Sequence, residues 1–480
     1  MTQNTALADA RPVGWGDALS DFVRSLHRCQ ELGEARLAIV TVPTSNVDPW
    51  AFMTDARQPQ VVWSNSRDGS ALVGFGVATD VSVMGQEPGC GRMPNMDALS
   101  EEKVLRNDDT RDQVPLTFWG MRFAGDTSTD TAWSDWSPIR VFVPQLTVYR
   151  RVSEQVTFAR LALWLTPETR VSDIEAELDA SFSVLEGTGQ DSLTTTHSPS
   201  IHAHQETEEE WNQRIARAVE TINEGELLKV VAARCETITP PADCEFSVRG
   251  TLEQLRENHP KCTVFAVRGE NGSTFLGATP ETLLRVRGGE VHTHALAGTV
   301  GRSESPEEDQ RLGLQLLASQ KEQQEQLHVV RAVREALVDC VDELEFPSTP
   351  RLLRLRRVQH LVTDFQGKIK PGVKPTDLLF RLHPTPAVAG TPQQSAQAWI
   401  MEHEKMDRGW YAAPIGWAAL NGDCAFRVAL RCGLLTPHAM VAYAGAGIVA
   451  GSRPELEWAE TSLKLETMKR AVVTSKRKAP

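Results

Sequence analysis

Several features that would fix a protein's class at once are missing from this chain. Among its eight cysteines no two form a C-x-x-C pair, and several interrupt apolar runs such as VAARCE and CTVFAV. Neither a disulfide framework nor a thiolate metal site is expected, and the cysteines read as reduced core thiols of a cytoplasmic protein. Long apolar runs are also missing. The longest uncharged, mostly apolar run, MVAYAGAGIVAG, is too short to cross a bilayer, and MTQNTALADARPVG holds no apolar segment of the signal-peptide kind. No membrane partner is expected. Positive charge is scarce as well: the formal net charge is −13 and the only basic run is Lys476, Arg477, Lys478, so nucleic acid is not an expected partner.

What is present is an ordinary globular composition, 41% hydrophobic and 24% charged over 480 residues. Residues 1 to about 185 alternate strand-like runs (RLAIVTV, PQVVWSN, ALVGFGV, IRVFV, FARLALWL) with turns such as SRDG, and no long amphipathic helix stands out there. The Ser/Thr/Gly-rich run EGTGQDSLTTTHSPS, 186–200, reads as a linker. Thr207 and Glu210 then make a capping box before Trp211, Ile215, Ala218, Val219 and Ile222 at helical spacing, and Gly225 ends that helix. Strand-like runs follow, with one long helix expected over 307–343 and a last helix after AMVAYAG. Short turns between consecutive strands imply antiparallel pairing, since parallel neighbours need long crossovers. The expected fold is therefore α+β, with 1–200 as an N-terminal half completing the fold, 206–468 as the catalytic region and 469–480 as a basic tail.

Gly445, Gly447 and Ala450 spell a dinucleotide fingerprint, yet they lie near the end of the chain, where no further strand supplies the ribose-binding acid. The acids that follow are more informative. After a capping box formed by Ser452 and Glu455, with Pro454 in the first turn, Glu457, Glu460 and Lys464 fall at i, i+3 and i+7 on one helix face. Glu322 and Glu325 form a second i, i+3 pair. Two such faces brought together favour a divalent cation, and an oxygen-only donor set suits Mg²⁺. The same spacing also fits plain solvated helix surface. Other metal patterns are incomplete: Glu325-x-x-His328 has no second copy, and His403, Glu404 and Asp407 lack a second zinc histidine. The pairs His202/His204 and His292/His294 read as loop and strand surface.

Lys229 interrupts the apolar run GELLKVVAAR; a buried amine can serve as a general base, while a strand-end lysine reaching to water is the plain alternative. Glu281 follows Thr-Pro at a turn between two strand-like runs, where its carboxylate can face a cleft. Arg431 and Tyr411 are candidate carboxylate ligands, with surface Arg and core Tyr as the plain alternatives.

Together these segments resemble the chorismate-utilising enzyme family, and within it the isochorismate synthases of the menaquinone or siderophore type. LLKVVAAR, FLGATPETLLR, ALAGTVGR, QHLVTDFQG, HPTPAVAGTP, RGWYAAPIGW, FRVALR and YAGAGIVAGSRPELEWAETSLKLETM occur in the family's order between about 206 and 468. The resemblance implies two packed antiparallel β-sheets with helices outside, chorismate as the small-molecule partner, Mg²⁺ as the cofactor, and a monomer, with a weak homodimer as the alternative. It implies Lys229 as the base that activates water for attack at ring carbon 2 and Glu281 as the acid that protonates the hydroxyl leaving carbon 4. Glu325 and Glu460 would bind Mg²⁺ directly, and Glu322 and Glu457 would hold its waters. Lys464 and the amides around Gly445 and Gly447 would meet the ring carboxylate, and Tyr411 and Arg431 the enolpyruvyl carboxylate, with His360 near the substrate. Lys229 in place of the glutamine of ammonia-using relatives implies water as nucleophile. Ala387 in place of threonine implies isochorismate formation over salicylate synthesis, which would add pyruvate elimination. Ala413, Gln326 and Cys432 depart from the family's usual glycine, histidine and serine.

Overall fold

The computed structural model describes residues 14–476 apart from 45, 55–56, 67–68, 83–95, 97–98, 101–102, 107–115, 125–130, 152–155, 188–200 and 205. The centre of the SRDG turn, the linker-like run beyond Gly187, Cys90 and the tail after Lys476 lie outside the described residues. The seven described cysteines are free and buried. No described helix is long and apolar enough to cross a membrane.

Two large sheets, of thirteen and ten strands, are built from both halves of the chain. In the larger, Val61–Asn65 of the N-terminal half pairs with Thr263–Arg268 of the C-terminal half. In the smaller, Thr117–Met121 pairs with Pro414–Ala418. Nearly every pairing is antiparallel, as the short turns require, and Arg36–Pro43 with Val104–Arg106 is a parallel exception. The halves also interlock through side chains. Gly120 lies where any Cβ would collide with the Trp410 ring, so the strand can pass this indole only as glycine.

Two helices in the N-terminal half correct the expectation that none stands out there. Trp15–Leu32 buries Trp15, Ala18, Phe22, Leu26 and Cys29, and Val171–Glu186 buries Ile174, Leu178 and Phe182. Both stripes have helical spacing, and each large apolar side chain so buried contributes roughly 1.5–3 kcal/mol. Glu208–Asn223 begins at the expected Thr207/Glu210 capping box. The helix expected over 307–343 is instead three elements, Pro306–Ala318, Gln320–Leu337 and the strand Val341–Glu345. Ser319 breaks it: its backbone is extended (φ −70°, ψ 116°) and its hydroxyl accepts from the Glu322 amide, ending one helix and capping the next. Nor do Ser452 and Glu455 form a capping box. Arg453 is the N-cap of Pro454–Ala471, Glu455 pairs with Arg453, and the Ser452 hydroxyl accepts from the Val449 amide.

Two of the places where the chain passes from one sheet to the other are neighbours at the cavity. Thr274–Thr279 belongs to the larger sheet and Thr282–Arg287 to the smaller, so the first crossing is Pro280-Glu281. Cys424–Val428 belongs to the smaller and Cys432–Leu435 to the larger, so the return crossing contains Arg431. The two are stitched together: the Val428 amide donates to the Glu281 carbonyl at 3.2 Å and the Ala278 amide to the Arg431 carbonyl at 3.1 Å.

Candidate active site

Between the sheet crossings and the helices Gln320–Leu337 and Pro454–Ala471 lies a cavity that eleven of the thirteen residues singled out from the sequence help to line. The two that do not are Lys229 and Glu457. Lys229 is fully buried at the start of the strand Lys229–Thr239, and its Nζ lies 2.8 Å from Glu325 Oε1, the carboxylate that faces the cavity. The lysine is thus half of a buried ion pair, neither the isolated amine nor the strand-end surface lysine that its sequence context suggests.

The strand Met440–Ile448 runs antiparallel beside it, with Gly447 opposite Val231 and Gly445 opposite Ala233. Since side chains alternate along a strand, Gly445, Gly447, Lys229 and Val231 share one face. A Cβ on Gly447 would strike the Glu325 carboxylate and come within 3.0 Å of Lys229 Cε. The glycine-rich run is therefore a strand that clears space for an ion pair, and no nucleotide loop is formed. Gly447→Ala is expected to force the pair apart, at a cost of about 1–3 kcal/mol for overpacking. The expected readouts are a melting temperature several degrees lower and a loss of most turnover.

Four acids converge at this end of the cavity, each with a lysine close by. Lys321 Nζ lies 3.0 Å from Glu457 and 3.7 Å from Glu322, and Lys464 Nζ is 2.7 Å from Glu460. Lys464 also donates to the Gly445 carbonyl at 2.7 Å. Burial, then the charge of Glu325, pushes the Glu322 carboxyl up to about 7, and burial followed by Glu460 raises Glu457. Burial alone would also raise Glu325, but the ammonium of Lys229, its hydrogen bond, and the charges of Lys321 and Lys464 together hold Glu325 below its ordinary value. Among the described residues no three acids stand close enough to grip an ion as they are. Three ammonium groups against four crowded carboxylates leave the cluster short of positive charge, and its oxygen-only donors suit a hard divalent cation such as Mg²⁺.

The helix that carries Glu457, Glu460 and Lys464 is locked onto the strand that carries Lys229. Arg234, 1% exposed, stacks 3.7 Å from the Trp458 ring, donates to Thr461 and Ser462, and pairs with Glu236, which also takes Lys469 at 2.5 Å. Buried charges of this kind persist only when paired.

Glu281, Arg431 and His360 also line the cavity. Glu281 is 3% exposed, and burial pushes its carboxyl up to about 8 despite the lowering effect of Lys229, Lys464 and Arg431, so it holds its proton at neutral pH. Arg431 has no carboxylate within ion-pair distance among the described residues; its Nη2 faces His360 Nε2 at 3.4 Å. His360 Nδ1 lies 3.1 Å from the Gly298 carbonyl, which can only accept, so Nδ1 carries the proton and Nε2 is an acceptor toward Arg431. Burial keeps this imidazole neutral. Arg431 (φ 49°) and Ala412 (φ 62°) both have left-handed backbones, an expense of order 1–3 kcal/mol each that clusters at functional sites. Ala387 also lines the cavity. Burial keeps the Tyr411 phenol protonated, and its ring stacks 5.3 Å from Tyr443, whose hydroxyl accepts from Trp133 Nε1 at 2.9 Å.

Lys321, Thr299, Ala412 and Tyr443 line the cavity although the sequence reading passed over them. Only Lys321 had a signal, its place beside Glu322, and helical neighbours at i+1 diverge by 100°. The residues that depart from the family pattern fit their surroundings: Gln326 donates to the Ala295 carbonyl and Thr363 hydroxyl, and Cys432 to the Ala429 carbonyl. The weaker metal patterns are structural, since Glu404 is taken by Arg408 and the Ala233 amide, and His294 Nε2 accepts from the Thr282 amide.

Residues 24–473 match the family model described as chorismate binding enzyme. Over 455 residues the chain is 33% identical to the salicylate biosynthesis isochorismate synthase of Pseudomonas aeruginosa, covering 94% of this chain and 93% of that protein. It is 30% identical to isochorismate synthase MenF of Bacillus subtilis, covering 93% of this chain and 96% of the relative. The solved structure of MenF, the menaquinone-specific isochorismate synthase of Escherichia coli, superposes with a TM-score of 0.75 at 27% identity, over 95% of this chain and 99% of that one. With its cavity set between two packed antiparallel sheets, and a family match spanning nearly its whole length, the chain belongs to the chorismate-binding enzyme family.

Proposed function

We propose that this protein is an isochorismate synthase, converting chorismate to isochorismate with Mg²⁺ bound among Glu322, Glu325, Glu457 and Glu460. The observation that carries the reading is a cavity with a buried, protonated carboxylic acid, Glu281, beside a guanidinium, Arg431, that has no carboxylate partner among the described residues. A dicarboxylate substrate with a poor leaving hydroxyl needs both. Arg431 and the Tyr411 hydroxyl hold the enolpyruvyl carboxylate, and Lys464 faces the ring carboxylate. When bound, Mg²⁺ supplies the positive charge that offsets the four acids and the ring carboxylate. Lys229, after its ammonium has given up a proton to solvent, takes a proton from water as the water oxygen bonds to ring carbon 2. The ring π electrons shift, the bond from carbon 4 to its hydroxyl breaks, and Glu281 donates its proton so that the hydroxyl departs as water. One water enters and one leaves, so the reaction is an isomerisation. Ala387 supports stopping at isochorismate.

Incubation with chorismate and Mg²⁺ tests the reading. Isochorismate is the expected product, lost on chelation with EDTA and restored by Mg²⁺. Salicylate with stoichiometric pyruvate would instead make the protein a salicylate synthase, and anthranilate or aminodeoxychorismate on addition of ammonium would overturn water as the nucleophile. The pH profile gives a second check. Glu281 must be protonated to act and its carboxyl is pushed up to about 8, so log(kcat/KM) is expected to fall with unit slope above about pH 8.

A further inference from the structure

Lys321 has no part in the chemistry above, yet it lines the cavity among the acids. It sits in the first turn of Gln320–Leu337, and its ammonium reaches across to Glu457 on Pro454–Ala471 at 3.0 Å while remaining 3.7 Å from Glu322 on its own helix. Each of the two helices presents a pair of carboxylates at i, i+3, and four like charges brought together in a half-buried site repel. Lys321 is the cation that spans the gap between the helices. An ammonium is a weak substitute for a dication: it carries one charge, offers only donors, and cannot be coordinated by four carboxylates at once. It is also tethered, so it stays beside the acids when a metal ion arrives and repels it.

Resting on the proposed Mg²⁺ site, we infer that Lys321 is a built-in counter-ion that competes with the divalent cation for the acid cluster and so sets the protein's metal affinity. It stabilises the metal-free protein and weakens metal binding by the same charge. Lys229 and Lys464, also paired with acids of the cluster, differ from it in that the proposed chemistry uses them.

The test is direct metal binding. Mn²⁺ binding is measured by the electron paramagnetic resonance of the free ion, without substrate and, in a Glu281→Gln background that does not turn over, with saturating chorismate. Lys321→Met keeps the aliphatic stem and removes the charge; it is expected to bind Mn²⁺ about tenfold more tightly, since removing one nearby like charge strengthens attraction by at least that order. Lys321→Arg, which restores the charge, is expected to bind as the wild type does. The metal-free melting temperature of Lys321→Met is expected to be lower than that of the wild type, and the gap to close or reverse at saturating Mg²⁺. Mn²⁺ affinity in Lys321→Met that equals or falls below that of the wild type overturns the inference, the weaker case meaning that Lys321 organises Glu457 for the metal. Wild-type protein that binds no Mn²⁺ under either condition, or binds it undiminished after Glu325→Gln and Glu460→Gln, overturns the metal site itself.

Discussion

Replacement of Lys229 is expected to lower kcat by about 10³-fold or more, a loss in line with the 10²–10⁴ that a positioned acid or base contributes. Lys229→Ala would show the loss but mix it with a structural one. It opens a cavity in the sheet and strips Glu325 of the ammonium 2.8 Å away, and a buried carboxylate left without its partner costs about 3–5 kcal/mol. Lys229→Gln separates the effects. Its neutral amide fills most of the same space, so the fold should persist and metal affinity should rise, as for any ammonium removed from beside the acids, while the proton acceptor is gone. Partial recovery of the alanine variant by added methylamine would show that an amine, rather than a packing group, is what the site lacks. A Lys229→Gln variant that kept a tenth of wild-type kcat would remove the base from this mechanism.

Glu281→Gln is expected to reduce kcat by a similar factor while changing KM only a few-fold. The asymmetry follows from charge. Glu281 already holds its proton at neutral pH, so glutamine copies its size and neutrality and removes only the capacity to give up a proton. The same substitution should stabilise the protein. A buried carboxyl pushed up to about 8 from an ordinary 4.5 binds more protons folded than unfolded between those values, so its contribution to stability is intact below about pH 4.5 and declines until about pH 8. At 1.4 kcal/mol per unit, the wild type is disfavoured by roughly 3 kcal/mol at pH 7 relative to a neutral isostere. Thermal unfolding at pH 5 and pH 8 checks this: the glutamine variant should gain at pH 8 and show little difference at pH 5. Equal melting temperatures at pH 8 with wild-type kcat would mean that the carboxyl is neither buried neutral nor the acid.

How much of this was readable in the chain depended on distance along it. The antiparallel α+β architecture followed from short turns, and the acid pairs Glu322/Glu325 and Glu457/Glu460 followed from helical spacing, because both are local. The union of those pairs, and the pairing of Lys229 with Glu325 across 96 positions, depend on how sheets and helices pack. Lys321 escaped because adjacent residues on a helix ordinarily diverge, and only its place in the first turn lets the long side chain swing to the other helix. The helices Trp15–Leu32 and Val171–Glu186 were missed for a simpler reason, namely that polar residues interleaved through each stretch mask the apolar stripe. Ser319 and Ser452 show the limit of capping signals. One ends a helix that periodicity would have continued, while the other turns its hydroxyl to a loop amide and leaves the cap to Arg453.

The double passage between sheets has a consequence for how such an enzyme can change over time. Glu281 and Arg431 are fixed by chain length on both sides, because every residue added on either side would invert the faces of the strand that follows. At these two points insertions should abolish activity, so a library of single-codon insertions would be expected to show intolerant windows centred on the acid and the guanidinium.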